Sequence, residues 1–249
     1  KPEGFWADRN YWAPEVHYYK GAFYAFVSFK SQDRCRGTQI LISDSPVGPF
    51  RIHSDGPVTP SAWECLDGTL YVDPQGQPYM VFCHEWVQTG DGEICAVRLS
   101  SDLKEAISEP VLLFTASESP WPRPIRNGPN YVTDGPFLYQ PDCPYRDHYT
   151  PSANKDKTSR PLIMLWSSIG ENNDYIQIIS VSDSGSITGP WRHDLDLLYK
   201  SDGGHGMIFR DFCGNLFLTL HSPNKNLLER PVFIPLTSEN GIPAVKYRQ

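Results

Sequence analysis

The chain has 249 residues, of which 39% are hydrophobic and 13% aromatic, enough to bury a substantial core. A formal net charge of −7 argues against a nucleic-acid binder, which needs a basic stripe to meet phosphates. No apolar run approaches the roughly 20 residues of a membrane span, so no membrane partner is expected.

The chain starts at Lys1 without a methionine, and a processed or trimmed N-terminus is expected. Four hairpins then follow in order, each an apolar strand, a tight turn and an aromatic-rich strand. The first is His17-Tyr18-Tyr19-Lys20-Gly21-Ala22-Phe23-Tyr24-Ala25-Phe26, and the second runs from Leu70 through Asp73-Pro74-Gln75-Gly76 to Phe82. The third pairs Phe137-Leu138-Tyr139 with Leu162-Ile163-Met164-Leu165-Trp166. The fourth runs from Met207 through Asp211-Phe212-Cys213-Gly214 to Leu218. A third strand follows each hairpin. After the first and third it leads into Ser-Asp-Ser and a Gly-Pro-aromatic step, at 43–50 and 182–191, which reads as a turn into a fourth, outer strand.

Four antiparallel strands per unit, repeated at roughly 55 to 70 residues, predict an all-β fold of β-propeller blades, because an isolated hairpin is marginal. About four blades are recognisable, and the chain reads as a single propeller domain over 1–249. No long amphipathic helix is predicted. Two loops depart from the repeat: 116–130 is rich in Pro, Ser and Trp, and 141–160 is polar and reads as a mobile tip.

The six cysteines, Cys35, Cys65, Cys83, Cys95, Cys143 and Cys213, are too scattered for a disulfide framework, and no CxxC spacing suggests zinc. Most are expected as buried thiols. Cys83 and Cys95 flank a hairpin loop and could face each other, which leaves their disulfide state open.

Asp73, Asp211, Asp44 and Asp183 lie in turn contexts and read as turn formers. Asp67 and Asp134 differ. Each is followed by Gly at the start of an apolar inner strand, in Leu66-Asp67-Gly68-Thr69 and Thr133-Asp134-Gly135-Pro136, and the two occupy matching places in successive units. A strand-opening turn explains the pattern as well as chemistry does. Inner strands of a propeller bring such side chains to one mouth of the channel, and glycoside hydrolysis needs two carboxyl groups there.

These segments together resemble glycoside hydrolase family 43, whose members are five-bladed propellers acting on arabinose- and xylose-containing glycans. Trp12-Ala13-Pro14-Glu15-Val16, Leu66-Asp67, Thr133-Asp134-Gly135-Pro136 and Gly203-Gly204-His205-Gly206 resemble its motifs in chain order. The resemblance implies an inverting hydrolase of the arabinofuranosidase or xylosidase type. Asp134 is then the general acid and Asp67 the carboxylate that orients it and raises its pKa. Glu85, in Cys83-His84-Glu85-Trp86, reads as a sugar-hydroxyl ligand, with an acid role as the alternative. The general base is expected on a strand before Trp12; Asp8 is the sole candidate in that stretch, where no such strand is predicted, and most of a first blade is expected to be missing. His205 is implied in holding a calcium ion in the channel, with a hydrogen-bonded channel histidine as the alternative. No organic cofactor is expected.

Trp12, Trp86 and Trp166 bound inner strands and could stack on a sugar, or pack between blades. His84 and His221 lie at strand ends and join the substrate-binding set. Trp121 could rim the cleft, while Trp63 and Trp191 read as blade packing. His17, His53, His148 and His193 are expected as surface or strand residues. The expected partner is an oligosaccharide or polysaccharide, and a secreted or periplasmic location is favoured over a cytoplasmic one. A non-hydrolytic sugar-binding propeller is the competing reading. The sequence does not fix the sugar, the linkage or the oligomeric state.

Overall fold

A computed structural model describes residues 4–125, 128–141, 160–239 and 241–245. The chain divides into two compact units, Lys1–Thr115 and Ala116–Gln249. The first holds one sheet of β1 (Arg9–Tyr19), β2 (Ala22–Ser31), β3 (Arg34–Ser43) and β4 (Arg51–Pro57), and a second of β5 (Cys65–Val72), β6 (Pro78–His84), β7 (Glu93–Arg98) and β8 (Val111–Thr115). The second unit holds β9 (Asp134–Tyr139), β10 (Leu162–Ile169), β11 (Tyr175–Ser182) and β12 (Trp191–Arg192), then β13 (Gly204–Arg210), β14 (Leu216–Ser222), β15 (Arg230–Glu239) and β16 (Ile242–Val245). Every sheet is an antiparallel meander in chain order, as expected of propeller blades. The single α-helical turn among the described residues is α1 (Trp86–Thr89).

Turn chemistry explains the hairpins. Asp73 and Asp211 do the same work: the Asp73 Oδ1 accepts the N–H groups of Gln75 and Gln77 at 2.9 and 2.8 Å, and the Asp211 Oδ1 those of Cys213 and Asn215 at 2.9 and 2.8 Å. Each such turn ends on a glycine in the left-handed region, Gly76 or Gly214, where a side chain would be strained. The Gly-Pro-aromatic steps at 48–50 and 189–191 lead into the outer strands β4 and β12, as read from the sequence.

Middle strands are buried on both faces, so they read as continuous apolar runs rather than alternations; Leu162 to Trp166 are all fully buried. In the first unit Phe26, Ile40, Met80, Phe82, Cys95 and Val97 form the main core. Each large side chain there contributes about 1.5–3 kcal/mol of burial. In the second unit Ile163, Leu165, Ile179, Val181, Leu218 and Leu220 do so. Cys65, Cys83 and Cys95 are buried free thiols. Cys83 pairs with Ile94 and Cys95 with Phe82 across β6 and β7, so the two sulfurs point to opposite faces and cannot meet. Burial pushes the Cys95 thiol up to about 12. Cys143 and the 142–159 part of the polar loop lie outside the described residues.

Gly68 is packed so closely that an added Cβ would stand 2.7 Å from Thr38 Cγ2 and 2.9 Å from Met80 Sδ. Gly68→Ala is expected to destabilise the first unit by about 1–3 kcal/mol in urea unfolding, since neither buried neighbour can retreat into solvent.

Candidate active site

A β-bulge recurs at the start of the first strand of each sheet. Two residues oppose one between the pairs Trp12↔Ser28 and Glu15↔Phe26, between Leu66↔Cys83 and Thr69↔Val81, between Asp134↔Ser167 and Phe137↔Leu165, and between Gly204↔His221 and Met207↔Thr219. The first bulged residue is left-handed each time: Ala13 (φ 40°), Asp67 (55°), Gly135 (51°) and His205 (53°). Bulges of this kind bend a strand and re-aim its side chains. A Pro or Gly follows in every case, at positions 14, 68, 136 and 206.

The backbone N–H groups that the bulges remove from the ladder find matching partners. Asp67 N–H donates to Ser28 Oγ (2.9 Å) and Gly68 N–H to Thr38 Oγ1 (3.1 Å). In the second unit His205 N–H donates to Ser167 Oγ (2.8 Å) and Gly206 N–H to Gln177 Oε1 (2.7 Å). Ser28 and Ser167 hold the same register position in their sheets, as do Thr38 and Gln177. The register also corrects the matching of the two aspartates. Asp67 is the bulged residue itself, whereas Asp134 is one position earlier, aligned with Leu66 and Trp12; the counterpart of Asp67 in that sheet is Gly135.

Around Asp67, itself 8% exposed, the first unit gathers charge at the same end of its strands. Arg36, at the start of β3, forms an ion pair with Glu85, just after β6, and both are buried. The Arg36 guanidinium also stacks 4.4 Å from the centre of the Trp12 ring and donates to Asn10 Oδ1 at 3.3 Å. Glu64 accepts from Lys30 Nζ at 2.5 Å and from the Arg36 backbone N–H at 3.0 Å. Burial pushes the Glu85 carboxyl up from its ordinary value; Arg36 opposes this, while the charges of Glu64 and Asp67 reinforce it. Burial pushes Glu64 the same way, but the bonds from Lys30 and Arg36 outweigh it and hold Glu64 below its ordinary value.

Trp12 remains 45% exposed, with one face on Arg36, and Trp86 is half-buried as the first residue of α1. Trp166 does not join them. It is fully buried, donates its indole N–H to Ser180 Oγ at 2.8 Å, and has no surface to offer a sugar. The His84 ring stacks on Trp63 at 4.2 Å, and its nitrogens lie 2.8 Å from Glu93 Oε2 and 2.9 Å from Gln88 Oε1. His17 has partners the sequence did not suggest, with Nε2 2.8 Å from Glu15 Oε1 and 3.3 Å from Thr69 Oγ1. Asp8 pairs with Arg9 at 2.7 Å on the surface.

In the second unit Tyr175, at the start of β11, donates its hydroxyl to Asp134 Oδ2 at 3.1 Å. The Tyr175 ring stacks on His221 at 5.4 Å, and His221 Nε2 lies 3.0 Å from Asn224 Oδ1. His205 packs so closely on Gly135 that a Cβ there would fall 2.7 Å from its ring. Trp121 donates its indole N–H to Leu195 O at 2.8 Å, which fixes the Pro-rich loop. His193 is buried against Ser180 Oγ at 2.7 Å, and His53 Nε2 lies 2.6 Å from Asp102 O, while His148 lies outside the described residues. His205 offers one nitrogen, whereas calcium takes six to eight oxygens. No cluster of three or more His, Cys, Asp or Glu side chains fit to hold a metal occurs among the described residues. Among the described residues, protein side chains alone therefore do not complete a calcium shell at His205.

The four antiparallel meanders define a class: an all-β protein built of propeller blades. The chain belongs to the glycosyl hydrolases family 43, whose profile matches residues 1–145. An endo-arabinase from Bacteroides thetaiotaomicron VPI-5482 is 41% identical, with 97% of this chain and 80% of that chain covered and a TM-score of 0.85. Two others bear on the fold alone. A thermostable family-43 glycoside hydrolase is 23% identical, with 98% and 77% covered and a TM-score of 0.77. An endo-1,4-beta-xylanase from Bacteroides thetaiotaomicron VPI-5482 is 22% identical, with 95% and 75% covered and a TM-score of 0.71. Comparison with curated proteins gave no match.

Because the Glu64 carboxylate is held below its ordinary value in the fold, it contributes stability above the unfolded value that is lost as pH falls through the folded one. Melting temperatures taken from about pH 6 down to about pH 3 should fall more steeply in the wild type than in Glu64→Gln, which removes this titration.

Proposed function

We propose that the protein hydrolyses arabinose-containing glycans, arabinan ahead of xylan, by a single displacement with inversion. What carries the substrate assignment is the 41% identity, over 97% of the chain, to a protein described as an endo-arabinase. Asp67 supplies the charge beside the proton donor, fixed by the Ser28 and Thr38 hydroxyls and shielded from water, where a carboxylate acts strongly on a neighbour. The candidates for the donor are two carboxyls, Asp134 at the start of β9 and Glu85 just after β6. Trp12 supplies an amphipathic face for a sugar ring, with Arg36 behind it. Inversion requires a carboxylate base roughly 6.5–9.5 Å from the donor, with water between them.

Linear arabinan and unsubstituted xylan, incubated separately with the protein, test the reading by sugar release. Release from arabinan at the higher kcat/KM is expected; preference for xylan reverses the substrate assignment, and tight binding of arabinan without release favours the sugar-binding propeller. Asp67→Asn, which the left-handed position tolerates, should lower kcat/KM on arabinan by about 10²–10³ with an unchanged melting temperature.

A further inference from the structure

Glu85 has a placement that a purely structural role does not require. A buried Arg–carboxylate pair loses on desolvation much of what it gains, so a fold rarely needs one for stability. Glu85 is 7% exposed, at the end of β6, where the inner strands bring Asp67 and the open Trp12 face. Its backbone is fixed on both sides: its N–H donates to Glu64 O at 2.8 Å, and its carbonyl accepts the Thr89 N–H at 3.1 Å. The charged groups acting on its carboxyl are Arg36 on β3, Glu64 just before β5 and Asp67 on β5. Burial, Glu64 and Asp67 raise its pKa and Arg36 lowers it, with the net direction upward from the ordinary value. Asp134, by contrast, already has one oxygen committed to the Tyr175 hydroxyl.

We propose that Glu85 is the proton donor of the reaction, with Arg36 as the cation that holds its carboxylate after transfer. This rests on the hydrolase reading above. The Glu85 O–H bond breaks as its proton passes to the glycosidic oxygen. The bond between that oxygen and the anomeric carbon breaks with the electron pair going to the oxygen, which leaves as an alcohol. Water forms the new bond at the anomeric carbon from the opposite face and gives its proton to a carboxylate base. Solvent then reprotonates Glu85.

A donor matters most when the leaving group is poor. Glu85→Gln, which keeps the shape and can still bond Arg36, is compared with Trp12→Ala on a linear arabino-oligosaccharide and on its 2,4-dinitrophenyl glycoside. For Glu85→Gln we expect kcat/KM to fall about 10²–10⁴-fold on the oligosaccharide but less than about tenfold on the dinitrophenyl glycoside. Trp12→Ala, which removes a sugar-stacking face, should lose equally on both. The reverse pattern, or an equal loss on both substrates for a Glu85→Gln protein with wild-type melting temperature, overturns the assignment. Arg36→Met gives a second reading: the alkaline limb of kcat/KM should move up by roughly 1–3 pH units, with Arg36→Lys restoring it. An unmoved limb contradicts the pairing. A wild-type chain that releases sugar from neither substrate sinks the hydrolase reading itself, and an active wild type with the wrong leaving-group pattern sinks the Glu85 assignment alone.

Discussion

The structure depends on a bulge that is held from the neighbouring sheet. At the start of β5 and of β13, the two N–H groups removed from the ladder are taken up by Ser28 and Thr38, or by Ser167 and Gln177. A buried N–H without a partner costs about 1–3 kcal/mol, so these four side chains decide whether the left-handed turn persists. They also decide where Asp67 and His205 point, because the side chain of a bulged residue is aimed by its backbone. The polar residues within otherwise apolar strands are thus accounted for: Ser28, Thr38, Ser167 and Gln177 are all fully buried, yet each serves the next sheet.

The same geometry gathers charge. Each meander brings the start of its first strand, the end of its second and the start of its third to one end. In the first unit this end carries Trp12, Lys30 and Arg36, and Glu64, Asp67 and Glu85. Three carboxylates and two cations packed there cannot all be indifferent to pH. Glu64, with two donors, is held ionised, and Glu85, deeper and opposed by two like charges, is pushed toward its proton. Environments that separate the pKa values of neighbouring carboxyls allow them to take different roles.

Much of this was legible in the sequence, and the failures have causes. The blades were readable because Asp73 to Gly76 and Asp211 to Gly214 encode a turn by side-chain capping, which local composition reveals. Asp67 was readable because an acid and a glycine interrupt an apolar strand. The one-residue offset of Asp134 was not, because a bulge inserts a residue whose only trace is the Pro or Gly behind it. Trp166 was misplaced because strands buried on both faces show no alternation, so nothing marks which aromatic ends at the surface. Arg36 and Tyr175 escaped notice because their importance comes from reaching across strands to Glu85 and Asp134.

The most direct measurement is a crystal structure of the Asp67→Asn protein with a linear arabino-oligosaccharide bound. The account predicts one sugar ring against the open face of Trp12, with a glycosidic oxygen within hydrogen-bond distance of Glu85 and a neighbouring hydroxyl at position 67. An oligosaccharide seated away from these residues, for instance in the acidic groove of Asp55, Asp102 and Glu105, would contradict it.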